Sequence, residues 1–176
     1  PRLPRPAVAL TTPWRPNSSA SGTVSTALTP VQTAEHRVSS PGLPIVIMRG
    51  GGHPDGMQDL TQYDDVVKDV MNELGRQVDA ALEAGVRPDQ VVVDPGLGFS
   101  KTGDQNWTVL AHLEAFMALD YPLLVAASRK RFLGELLADG DELRPTDQRE
   151  AAAAAISTLP ALAGGWCVRV HAPAAT

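Results

Sequence analysis

Beyond residue 43 the apolar positions follow two different periods. Pro44–Met48, Val91–Asp94, Pro122–Ala127 and Trp166–Val170 are short, nearly continuous apolar runs, the last interrupted by Arg169. Runs of that length, bounded by Gly, Pro or charged residues, predict strands buried on both faces. Between the first two, Val67, Val70, Met71, Leu74, Val78, Ala81 and Leu82 recur at helical spacing within Asp59–Ala84, and Gly85 stands where a helix would stop. Trp107–Leu119 repeats the pattern with Leu110, Leu113, Phe116 and Met117 on one stripe, and Asp104 or Asn106 is the expected N-cap. Lys130–Ala138 predicts a short helix. Asp147 and Glu150 are spaced as a capping box opening an Ala-rich helix to about Gly164, which Pro160 should bend or split.

The resulting order is βαβαβαβ. Continuous apolar strands alternating with amphipathic helices predict an α/β fold with a parallel sheet covered on both faces. Doubly wound sheets and (β/α) barrels both satisfy this pattern. A full barrel takes about 250 residues, roughly twice the span Pro44–His171. Residues 1–43 are of another kind. They are rich in Pro, Ser, Thr and Ala, carry no sustained period, and are expected to be poorly structured. Two regions follow: 1–43 outside the α/β pattern, and 44–176 within it.

Composition narrows the function classes. A net charge of −5 argues against generic binding to nucleic acid or an anionic membrane surface. No apolar run reaches the roughly 18–20 residues that span a bilayer. The one cysteine, Cys167, lies in an apolar run and is expected to be a buried, inert thiol. These features predict a cytoplasmic protein. The chain starts at Pro1 rather than Met, which suggests a piece or a processed product.

Candidate chemistry gathers at the ends of the predicted strands, where parallel sheets bind ligands. In VVVDPGLGFSK a buried strand ends on Asp94 and opens into a Gly-rich loop bearing Phe99 and Lys101. A carboxylate there is costly unless paired or liganded. It could accept two parallel hydrogen bonds from an amidine-like edge of a heterocycle, or tie down the Pro-Gly turn through backbone N–H groups. The glycines match neither the dinucleotide fingerprint nor a P-loop. Ser128-Arg129-Lys130-Arg131 places cations and a hydroxyl between a strand and a helix start, a position that favours anions. Arg169 and His171 lie two apart and share one side of the last strand, which suits phosphate binding. His36, His53 and His112 have no metal-ligand spacing and read as surface or loop residues.

Taken in order, DPGLGFSK, ASRKRFLG, PTDQRE and VRVH resemble dihydropteroate synthase, a pterin-binding family of folate synthesis. The resemblance implies a TIM-like (β/α) barrel, present here as a partial barrel of about four strands matching the second half of the family. It implies a transferase that joins 6-hydroxymethyl-7,8-dihydropterin diphosphate to 4-aminobenzoate and releases diphosphate, assisted by Mg²⁺. Asp94 would then bind the pterin, Lys130 would contact the pterin near the benzoate site, and Phe99 would line the benzoate pocket. Ser128 and Arg129 would lie beside that pocket, and Arg169 and His171 would hold the diphosphate. Asp94 and Lys130 are the implied catalytic pair. Met48-Arg49-Gly50-Gly51 departs from the family's usual His-Trp-Arg-like sequence, and the residues of the first half, including the metal-supporting Asn, have no counterpart. Such a truncated chain is expected to be doubtful as an enzyme, and the alternative is a non-catalytic pterin-binding or interaction protein. Open strand edges would leave it poorly soluble alone or paired as a homodimer of half barrels.

Overall fold

The structure is a computed structural model that describes residues 44–49 and 62–176 of the chain. Residues 1–43, the Gly50–Gly52 loop, His53 and the predicted helix start at Asp59 lie outside the described residues. The described elements run β1 (Ile45–Met48), α1 (Val66–Glu83), β2 (Val91–Asp94), α2 (Gly103–Ala111), α3 (Leu113–Met117), β3 (Leu124–Val125), α4 (Arg131–Leu136), α5 (Glu150–Ala163) and β4 (Cys167–Val168). Strands and helices alternate as the hydrophobic pattern predicts.

β1 pairs parallel with β2, Ile45 against Val91 and Met48 against Asp94, and β3 pairs parallel with β4. A parallel bridge between Val93 and Leu123 joins the two pairs, with Val93 N donating to Pro122 O at 2.9 Å. Neighbours in space are therefore neighbours in sequence. The doubly wound alternative reverses strand order at a switch point, and no reversal occurs here among the described strands.

Alternate residues of each strand face opposite sides. Val91 and Val93 point to the helix-covered side and join a core with Val70, Leu74, Val78, Leu110, Leu113, Phe116, Phe132 and Leu133. Trp107 packs edge-on against Phe132, ring centroids 4.9 Å apart. Val92 points the other way and meets Leu124, Ala126 and Cys167 in a much smaller cluster. On that same face Val46 is 45% exposed.

Several local expectations are corrected. α1 begins at Val66, where Asp65 accepts from the amides of Val67 and Lys68, so residues 62–65 precede the helix. The second helix starts at Gly103 rather than Trp107 because Thr102 is its N-cap. Thr102 Oγ1 accepts from Gln105 N at 3.3 Å, and Gln105 Oε1 accepts from Thr102 N at 2.8 Å. Neither Asp104 nor Asn106 is the cap. The helix also breaks at His112, whose exposed ring turns back to Thr108 O at 2.8 Å. Asp147 falls in a 3₁₀ turn, Thr146–Gln148, and opens no capping box; α5 starts at Glu150. Pro160 lies inside α5 without splitting it, and left-handed Gly164 ends the helix. Cys167 is partly rather than fully buried, and burial pushes its thiol pKa up. No helix of the described residues is long and apolar enough to cross a membrane.

Candidate functional site

The Gly-rich loop after β2 is shaped by backbone that ordinary residues avoid. Gly96 and Gly98 have φ of +68° and +73°, and Ser100 also has a positive φ. A Cβ on Gly96 would collide with the Arg49 carbonyl at the end of β1, and one on Gly98 would come within 2.6 Å of Lys130 Cδ. The glycines therefore permit close approach of two neighbouring segments as well as the turn itself. Asp94, 2% exposed, sits where β2 meets this loop, and its Oδ1 accepts from Gly96 N at 2.8 Å. Asn106, buried in α2, accepts from Gly98 N at 2.7 Å and donates to Thr102 O at 2.7 Å. Tyr63 donates to Ser100 O at 2.9 Å.

Lys101 doubles back beneath the loop. Its Nζ donates to the carbonyls of Pro95, Gly96 and Phe99 at 2.9, 3.0 and 3.2 Å. Arg49 lies nearby with its guanidinium 5.4 Å from the Tyr63 ring centroid. Arg49 Nε is 2.8 Å from Glu73 Oε2, close enough for charge attraction but too poorly aligned for a hydrogen bond.

The second loop, Ser128–Lys130, follows β3. Arg129 adopts φ +62° and its Nε donates to Glu150 Oε1 at 2.6 Å, so its charge is committed to the start of α5. Arg149 holds this loop from behind. One guanidinium nitrogen, Nη1, donates to the carbonyls of Arg129 and Lys130 at 2.9 and 3.2 Å, and Nε donates to Arg144 O at 2.7 Å. Gly134 leaves room for that guanidinium, since a Cβ there would lie 2.6 Å from it. Thus held, Lys130 places Nζ 3.5 Å from the centroid of the Phe99 ring, a cation–π contact joining the two loops. Ser128 Oγ is 3.2 Å from His171 N and 3.1 Å from His171 Nδ1, so it tethers the chain just after β4.

Electrostatics tie these groups together. Burial raises the Asp94 pKa, opposed by the Gly96 amide and by the charges of Arg169, Lys130 and Lys101. Burial lowers Lys130 to about 8, with Arg169 adding to the effect and Asp94 opposing it. Lys101 is lowered to about 7, again chiefly by burial and then by Arg49, while Asp94 and Glu73 work the other way. A buried carboxylate facing two desolvated amines and an arginine is a site in which protonation states respond to a bound ligand.

Of the residues singled out from sequence, Asp94, Phe99, Lys130 and Arg169 lie on this cluster. Ser128 and His171 form an adjoining pair, and Arg129 is turned toward Glu150. Strand alternation explains the grouping. Asp94 continues the face of Val92, and Arg169 the face of Cys167. Sequence reasoning passed over Lys101, Asn106, Arg149 and Glu150 as site-building residues. Lys101 was visible only as a charge on the Gly-rich loop, Glu150 only as half of an expected capping box, and Arg149 only as a letter of PTDQRE.

Comparison with known proteins bears on the same segment. The family model described as pterin binding enzyme matches residues 26–171. Dihydropteroate synthase of Mycobacterium leprae is 54% identical over 110 residues, covering 62% of this chain and 39% of that protein. The Synechocystis enzyme of the same name is 41% identical over 129 residues, covering 73% and 43%. Among solved structures, dihydropteroate synthase of Stenotrophomonas maltophilia with active-site-bound imidazole superposes with a TM-score of 0.72 at 38% identity, covering 84% of this chain and 52% of that one. The Xanthomonas albilineans enzyme in complex with 7,8-dihydropteroate gives 0.68 at 36% identity, covering 84% and 50%. The chain thus spans less than half the length of these curated relatives. With the family model matching most of its length and the parallel strands carrying the match, the chain belongs to the pterin-binding enzyme family.

Proposed function

We propose that the chain is the pterin-recognising part of a dihydropteroate synthase-type transferase, built as the strands and helices of a TIM-like (β/α) barrel. The reaction joins 6-hydroxymethyl-7,8-dihydropterin diphosphate to the amine of 4-aminobenzoate and releases diphosphate. The observation carrying this reading is the buried Asp94 carboxylate at a parallel strand end, beside Phe99 and the cations Lys130 and Arg169. A carboxylate can accept a pair of N–H groups from a pterin ring, and burial strengthens that pairing by excluding water. Relatives support the substrate class: the X. albilineans enzyme has been solved with 4-aminobenzoic acid and with 7,8-dihydropteroate.

In this reading Lys130 faces the pterin on one side and Phe99 on the other, and the Phe99 ring forms an apolar wall for the aminobenzoate. Ser128 and Arg129 stand beside that pocket. Arg169, with His171 tethered to Ser128, is suited to the diphosphate, whose departing charge they stabilise. The amine of 4-aminobenzoate then attacks the exocyclic carbon of the pterin, and no covalent bond to the protein is needed.

Mg²⁺ fits poorly among the described residues. No three of their His, Cys, Asp or Glu side chains cluster as metal ligands, and the Asp94 carboxylate is surrounded by cations. No step is assigned to a metal here. The buried Asp94 beside Lys130 and Arg169 suits a second reading as well, in which the chain binds a pterin without turning it over.

Titration of the chain with 6-hydroxymethylpterin, followed by fluorescence, tests the recognition common to both readings. Binding that disappears in Asp94→Asn supports it, and unchanged binding in that variant sinks the assignment. Diphosphate release from both substrates in the presence of Mg²⁺ then separates the transferase from the non-catalytic binder.

A further inference from the structure

Three backbone carbonyls that converge on one point are unusual, because aligned dipoles repel unless a cation lies between them. The carbonyls of Pro95, Gly96 and Phe99 converge in this way, and the Lys101 ammonium fills the point. Lys101 is buried, so these bonds are shielded from water. The carbonyl at one end belongs to Phe99, whose ring meets Lys130, and those at the other end belong to the turn that supplies the Gly96 amide to Asp94.

We propose that Lys101 is a positioning residue, a buried cationic clamp that sets the Gly-rich loop and thereby holds Phe99 against Lys130 and the Gly96 amide on Asp94. The groups facing it are Arg49 at the end of β1, Glu73 on α1, Asp94 on β2 and Lys130 ahead of α4. Tyr63 supports the same loop from below through Ser100 O. An ammonium has three N–H donors and a neutral amine two, so loss of the proton leaves one of the three carbonyls without its partner. Burial brings that loss within reach of mild alkali. The three carbonyl dipoles favour the charged form and oppose that loss. The effect of the clamp on ligand binding rests on the pterin site proposed above. The clamp itself can be read without any ligand.

Nuclear magnetic resonance of the full chain provides that reading. The Lys130 ε-methylene signal should be displaced by the Phe99 ring, and Phe99→Leu identifies the displacement. The Phe99 amide, which donates to Gly96 O, reports loop order through hydrogen exchange. In Lys101→Met the displacement should vanish and protection of that amide fall about tenfold or more. Lys101→Ala should regain part of both in ammonium or methylammonium chloride relative to sodium chloride at equal ionic strength, because a small cation can reoccupy the carbonyl cage. Retention of both signals in Lys101→Met, or an absence of rescue by either cation, overturns the clamp. Should these variants fail to fold, pH decides the matter in Lys130→Met, where the neighbouring amine no longer titrates. Phe99 protection, corrected for intrinsic exchange, should fall as pH rises through about 7 and above, and a flat profile overturns the proposal. A chain that keeps the clamp signature but does not bind 6-hydroxymethylpterin faults the pterin reading alone.

Discussion

The two faces of the strand layer are built to different standards. On the helix side Val91, Val93, Leu74 and Phe116 belong to one continuous core, and Phe116 is fully buried. On the other side, among the described residues, Val92, Leu124 and Ala126 form a cluster of three, Cys167 lies partly covered against them, and Val46 is exposed. Yet the second face carries the candidate chemistry: Asp94 continues the row of Val92, and Arg169 the row of Cys167. Stability is concentrated on one side of the layer and ligand-facing groups on the other. A recognisable site can therefore sit on the more thinly packed face of an α/β layer.

The sharpest way to break this contrast is to remove matched bulk from each face. Val93→Ala opens a cavity in the continuous helix-side core and should cost about 2–4 kcal/mol. Val92→Ala removes the same carbon from a thinner cluster and should cost roughly 1–2 kcal/mol. Urea unfolding measures both, and equal losses would mean that the two faces are packed alike.

Gly134→Ala tests the support of the second loop with a single methyl group. The added carbon would meet the Arg149 guanidinium, which is pinned by the Arg144, Arg129 and Lys130 carbonyls and cannot easily swing away. Overpacking of this kind costs about 1–3 kcal/mol. The expected outcome is lower stability together with a weakened Lys130–Phe99 contact. Lower stability with that contact intact would separate Arg149 from the site.

Much of this arrangement was legible because strand periodicity is simple. Four apolar runs mark four strands, and the strand period alone places residues two apart, such as Arg169 and His171, on one face. Asp94, Arg169 and Lys130 were accessible in this way, since each stands at a strand end or the loop directly after it. The boundaries were not. Thr102 outcompeted Asp104 and Asn106 as N-cap because Gln105 could complete a reciprocal pair, and Asn106 was more useful bridging Gly98 to Thr102. Arg149 and Lys101 were hidden for a further reason. Their partners are backbone carbonyls, which carry no residue identity, so no motif of side chains announces them. Asp94 presented a different problem. Its two readings from sequence, turn anchor and ligand acceptor, are compatible, because Oδ1 holds the Gly96 amide while the carboxylate remains beside the cations.

That dual position leads to the last and smallest effect, in which stability and binding should move apart. Burial raises the pKa of Asp94 in the folded chain, so between 3.8 and the folded value the folded state holds more protons than the unfolded one. Its contribution to stability is then greatest below 3.8 and is lost as pH rises through the folded pKa. The neutral amide of Asp94→Asn can still accept from Gly96 N through its oxygen but avoids the cost of a buried charge. At neutral pH this variant should be as stable as the parent or slightly more so, with a flatter stability profile in acid, while 6-hydroxymethylpterin binding is lost. Urea midpoints from pH 4 to 8, measured beside the pterin titration, provide the comparison. A variant that loses stability and binding together would make Asp94 a turn anchor first, and would shift the candidate chemistry toward Lys130 and Arg169.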